Sequence, residues 1–161
     1  MNAATRLAGL LDQAGLRHVV HTPAGGAPTA TFQLGLPGEA PVAISARLTD
    51  PVLQLTAHGL CHAPAALPDT RQLLAINAIN ARWPLGRLYL GADRHSCEAA
   101  VSLLVGAEPL ASEWLYLALD GLGDMCRLIR AGTLNNGTPE HALDALLAQQ
   151  RLRLAEAPGG L

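Results

Sequence analysis

Apolar side chains recur along this chain with two distinct periods. At the N-terminus, in "MNAATRLAGLLDQAG", Leu7, Leu10, Leu11 and Ala14 share one helical face, with Asp12 between them. This spacing predicts an amphipathic helix ending at Gly15, a residue suited to a left-handed cap. Period-two alternation follows in three segments. In "TATFQLGL", Ala30, Phe32, Leu34 and Leu36 lie on one side, opposite Thr29, Thr31 and Gln33. In "PVAISARL", Val42, Ile44, Ala46 and Leu48 oppose Ala43, Ser45 and Arg47. In "VLQLTAHGL", Leu53, Leu55 and Ala57 oppose Gln54, Thr56 and His58. The separators "PGEAP" and "TDP" are turn chemistry. Strands joined this tightly pair antiparallel, because a parallel pair needs a long crossover. One apolar face per strand predicts a sheet covered by helices on one side only.

The helical period returns in "PDTRQLLAINAINARW", where Asp69 and Gln72 have capping-box spacing and Pro84 and Gly86 end the helix. "GRLYLGAD" and "SCEAAVSLLVG" alternate again, with Leu88 and Leu90 on one side and Cys97, Ala99, Val101, Leu103 and Val105 facing the core. A helix from Ser112 carries one stripe of Leu115, Leu119, Leu122, Cys126 and Ile129 and another of Trp114, Leu117, Met125 and Leu128. A helix apolar around most of its girth is either central or covered by another subunit. The last helix starts at Thr138-Pro139, a cap followed by proline at the first helical position, and runs through Leu143, Leu146 and Leu147 to Leu154. The expected class is α+β: an antiparallel sheet of about five strands packed on helices, in the order α-β-β-β-α-β-β-α-α. One domain is expected over residues 1–155, with a flexible tail at 156–161.

Two asparagines interrupt the apolar run "LLAINAINARWPLGRLYL". Asparagine is a poor helix-interior residue because its amide competes for backbone groups. Asn77 and Asn80 border the face formed by Ile76, Ile79 and Trp83, where an amide is placed to tie the helix end to the Pro84–Arg87 turn or to a neighbouring strand edge.

Composition narrows the class. The chain has 161 residues, 50% hydrophobic and 15% charged, which is enough for one sizeable core and argues against disorder. Net charge is −2, which argues against direct nucleic-acid binding through a strong electrostatic footprint. All basic side chains are arginine. No apolar run is long enough for a membrane span, and three cysteines without framework spacing read as reduced thiols, so a cytoplasmic protein is expected.

Reactive constellations are sparse. "HGLCH" brings the competent zinc ligands His58, Cys61 and His62 together, but the spacing matches no common zinc motif and a fourth ligand is missing. Surface histidines beside a half-buried thiol are the simpler reading, and no metal or cofactor is expected. In "RHSCE", His95 stands near Cys97, but the strand pattern buries that thiol in the core. "DGLGD" lacks the preceding strand and third glycine of a phosphate loop, and reads as a kink or a close helix approach. Arg151 and Arg153 suit a helix C-terminus. No two carboxylates pair as acid and base, and no enzyme is expected. The alternative is a metal- or small-molecule-binding protein or enzyme using His58, Cys61 and His62.

"LLAINAINARWPLGRLYL", with its N-x-x-N helix end, and "EAAVSLLVGAEPLASEWLYLAL", a strand, a turn and a Trp-bearing helix, resemble the YbjN family of bacterial proteins, whose fold is similar to type III secretion chaperones. The order of elements agrees over nearly the whole chain. The Pro/Gly-rich segment 23–41 and a helix after Asn135-Asn136-Gly137 depart from the family pattern. The resemblance implies a non-catalytic homodimer linked to stress responses and regulation, which acts by binding an unidentified client protein. In the chaperones, the helix between the third and fourth strands contributes dimer contacts. That implies Leu73, Ile76, Ile79 and Trp83 here, and the greasy helix girth adds Trp114 as a contact candidate.

Overall fold

The computed structural model describes residues 2–60, 70–92, 96–105, 112–131 and 140–157. The N-terminal stripe folds into α1 (Ala3–Gln13), with Leu7 and Leu11 fully buried. The Asn2 carboxamide caps it by accepting from Thr5 N at 2.8 Å. Gly15, at φ +65°, closes the other end: its N–H donates to Asp12 O and the N–H of Leu16 donates to Leu11 O, the Schellman pair.

The strands are β1 (Val19–His21), β2 (Thr29–Leu34), β3 (Val42–Thr49), β4 (Val52–Ala57), β5 (Gly86–Leu90) and β6 (Cys97–Leu104). They form one six-stranded sheet in the order β1-β2-β3-β4-β6-β5, and every pairing is antiparallel. The fold is α+β, but the strand count corrects the expectation of about five. Among the described residues the order gains a fourth strand before α2. The added strand, β1, is three residues long and too short to show alternation, and Val19 is left 70% exposed.

α2 (Thr70–Asn80) crosses from β4 to the edge strand β5, with β6 between them. α3 (Ser112–Arg130) and α4 (Glu140–Glu156) follow. The core lies between the helices and one sheet face, where Phe32, Ile44, Leu55 and Val101 are buried. The opposite face carries exposed Thr31, Gln33, Arg47, Gln54 and Ser102. Alternation in the strands thus separates a packed face from an open one.

The "DGLGD" glycines lie inside α3, at close approaches. A Cβ on Gly121 would stand 2.8 Å from Leu85 Cδ1, and one on Gly123 would stand 3.2 Å from Leu36 Cδ2. The expected caps at Asp69 and Thr138-Pro139, and residues 158–161 of the expected tail, lie outside the described residues. Among the described residues, no helix is long and apolar enough to cross a membrane.

Candidate functional site

The open sheet face carries its own organised polar cluster. Strand register builds it. Ser45 pairs with Thr56, and Ala57 pairs with Ala99, which sets His58 beside Glu98. Tyr89 pairs with Glu98 from the other side. Side chains on neighbouring strands of one face are within reach of each other, diagonally as well as directly.

Ser45 Oγ lies 2.7 Å from His58 Nε2, and His58 Nδ1 lies 2.9 Å from Glu98 Oε1. In a neutral ring, donation from Nδ1 to the carboxylate leaves Nε2 to accept from the serine hydroxyl. Glu98 is also hydrogen-bonded by the Tyr89 hydroxyl, which is bonded to Thr56 as well. Burial, and after it the Glu98 carboxylate, raise the Tyr89 phenol above its ordinary value of 10.0, with the Thr56 bond opposing. The phenol is therefore neutral and donates to Glu98 at physiological pH. Thr56 and its cross-strand partner Ala100 are 7% and 6% exposed. The glutamate side chain is 18% exposed and the imidazole 42%, so the carboxylate is sheltered and the ring remains open to solvent.

A cleft of about 760 Å³ adjoins the serine and the histidine. The Gly15–Val19 segment lines it on one side, with Ala43, the cross-strand partner of Gln33 and backbone partner of His58, on the sheet. Leu16 and the exposed Val19 give the cleft apolar surface, and Arg17 and Gln33 add donors.

The residues expected from the sequence are placed as follows. His58 has both ring nitrogens engaged, while Cys61 and His62 lie outside the described residues. Among the described residues, no three His, Cys, Asp or Glu side chains are grouped to hold a metal. Cys97 and Cys126 are buried, and His95 lies outside the described residues. Burial pushes the Cys126 thiol up to about 12, against the opposing charge of Arg130. Arg153 reaches Asp124 at 3.3 Å and so joins α4 to α3.

Of the contact candidates, Ile76, Ile79 and Trp83 are corrected. They are 6%, 1% and 1% exposed within the single chain, so they belong to its own core. The cause is α2 lying against β5, with the Trp83 indole N–H donating to Gln150 Oε1 at 2.9 Å. Leu73 is exposed and Trp114 is half-buried. The two asparagines separate: Asn80 bonds the β5 backbone at Leu88, and Asn77 faces outward.

Ser45, Glu98, Tyr89 and Thr56 were not singled out by sequence reasoning. Alternation already put Ser45, Thr56 and His58 on the polar side of adjacent strands, which was the available signal for half of the cluster. The other half depends on β6 inserting beside β4, a non-sequential neighbour. No protein-family model matches the chain, and neither a curated protein nor a solved structure matches it.

Proposed function

We propose that this chain is a homodimeric protein-binding module, a chaperone-like or regulatory adaptor of the YbjN type working in the cytoplasm. The observation that carries this reading is the outward face of α2. Ile76 and Ile79 turn into the core, and Leu73, Leu74, Asn77, Ala78 and Ala81 turn to solvent. Leu73 is 42% and Leu74 63% exposed, and no charged residue stands among these five. A solvated helix face ordinarily carries charge, so five exposed residues without one favour a covered surface. The occupant proposed is a second copy, because a two-fold dimer sets the same patch against itself and closes. Asn77 then sits as a polar residue within the interface, a placement that fixes register between helices.

Sedimentation of the full chain at micromolar concentration tests this. A dimer that becomes a folded monomer in Leu74→Glu is expected. A wild-type monomer throughout that range removes the reading.

A further inference from the structure

We propose that Ser45, His58 and Glu98 form a hydrolytic triad for carboxylic esters with a short apolar acyl chain. The proposal goes beyond the binding reading and does not rest on it, since the triad lies on the open sheet face and the proposed dimer uses α2.

The order and spacing of the three side chains carry it. A serine becomes a nucleophile when a neighbouring base takes its proton, and the base works when a third group fixes its tautomer. Here Ser45 Oγ is 2.7 Å from Nε2, and Glu98 Oε1 is 2.9 Å from Nδ1. Glu98 is held in turn by Tyr89. Ser45 and Glu98 come from β3 and β6, and His58 is the residue just after β4, the strand between them, so paired backbone sets their spacing.

The cleft supplies the rest. Ser45 lines it together with Ala43, and Leu16 and the exposed Val19 offer apolar surface to a short chain. Gln33 and Arg17 line the same space and are the donors available to a developing oxyanion. The imidazole is 42% exposed, so water reaches the site and electrostatic stabilisation is weaker than in a closed one. That favours esters, whose alkoxide leaves readily, over amides.

The steps balance. Ser45 Oγ attacks the carbonyl carbon while Nε2 takes its proton, forming the tetrahedral oxyanion. The bond from that carbon to the alcohol oxygen breaks, and the imidazolium returns the proton to the departing alkoxide. Water then attacks the acyl-serine, its proton passing to Nε2 and from there to Ser45 Oγ. Ester and water become acid and alcohol. Ser45 and His58 are the catalytic residues and Glu98 is a positioning residue.

The test uses the full chain with p-nitrophenyl butyrate and, separately, a fluorophosphonate followed by peptide mass spectrometry. Expected are turnover above the buffer rate and a phosphonyl adduct on Ser45. Ser45→Ala should abolish both, and His58→Gln should lower turnover by about a hundredfold or more. Glu98→Gln should lower kcat with KM kept, a split that mere loosening of the fold does not produce. Labelling of the wild type needs no variant to fold. Absence of any adduct on Ser45 overturns the proposal, as does Ser45→Ala hydrolysing ester at the wild-type rate. The oligomeric state plays no part in these readouts, so failure here leaves the α2 dimer standing and the reverse holds too.

Discussion

The carboxamide of Asn80 is bonded at both ends to one residue, Leu88: Nδ2 donates to Leu88 O at 2.8 Å, and Leu88 N donates to Oδ1 at 2.7 Å. The side chain thus behaves as one more rung on the edge strand β5. An exposed edge is a template for unwanted pairing, and a side chain that occupies its middle blunts it. The opposite edge is blunted differently, by the three-residue length of β1.

Replacing Asn80 with leucine removes both bonds and leaves a half-buried N–H and C=O without partners. Asn80→Leu should therefore lower stability by roughly 1–3 kcal/mol, read as the urea midpoint. Exchange of the Leu88 amide proton should accelerate more than that of its β6 neighbours. An unchanged midpoint with an unchanged Leu88 amide would show that the two bonds contribute nothing.

Gly86 stands where β5 leaves the Trp83 turn. A Cβ there would lie 2.7 Å from Trp83 Cη2 and would press closer still on the carbonyl oxygen of Ala100. One obstacle is strand backbone and the other a fully buried ring, so neither yields cheaply. Gly86→Ala should cost about 1–3 kcal/mol or more through overpacking, seen as a lower thermal midpoint. A variant as stable as the parent would show that the turn has slack.

What was legible in the sequence was local. Leu7 and Leu11 on α1, and Ile44, Leu48, Leu53 and Leu55 on the strands, lie on the buried sides that their periods predict, because period reports side-chain direction directly. The same periods say nothing about which subunit covers an apolar face, and so Ile76, Ile79 and Trp83 could equally be core or interface until α2 was seen against β5. The polar cluster was half legible. Ser45 and His58 follow from alternation, while Glu98 enters only because β6 pairs with β4 across an intervening helix and strand. β1 escaped notice because three residues hold no period.

Gln150 is a buried polar side chain, 1% exposed, whose two ends serve two other elements. Its Oε1 accepts the Trp83 indole N–H at 2.9 Å, and its Nε2 donates to Gly121 O at 3.2 Å. It thereby ties α4 to α3 and to the turn after α2. Gln150→Leu keeps the volume and strands the indole N–H and the Gly121 carbonyl. A loss of about 2 kcal/mol or more is expected by urea unfolding, with altered tryptophan emission in the folded state. A variant with wild-type stability and emission would mean that the amide is not a necessary tie.

Cys126 on α3 is fully buried, and that burial pushes its thiol up to about 12 from an ordinary 9.0. The thiolate is the reactive form, so at pH 8 only about one molecule in ten thousand carries it, and the ring of core side chains blocks reagents besides. Iodoacetamide should leave the Cys126 peptide unmodified in the native chain and label it once urea unfolds α3. The pH dependence has a definite sign. With the folded value above the unfolded one, the unfolded chain loses this proton first. The contribution of the neutral thiol is whole below about pH 9 and is lost as pH climbs toward about 12; the loss reaches about 1.4 kcal/mol by pH 10. Comparing urea midpoints at pH 8 and pH 10 for the parent and Cys126→Val isolates this contribution, because the valine variant has no proton to lose. Equal slopes for the two chains, or rapid native labelling of Cys126, would place that thiol in water rather than in the core.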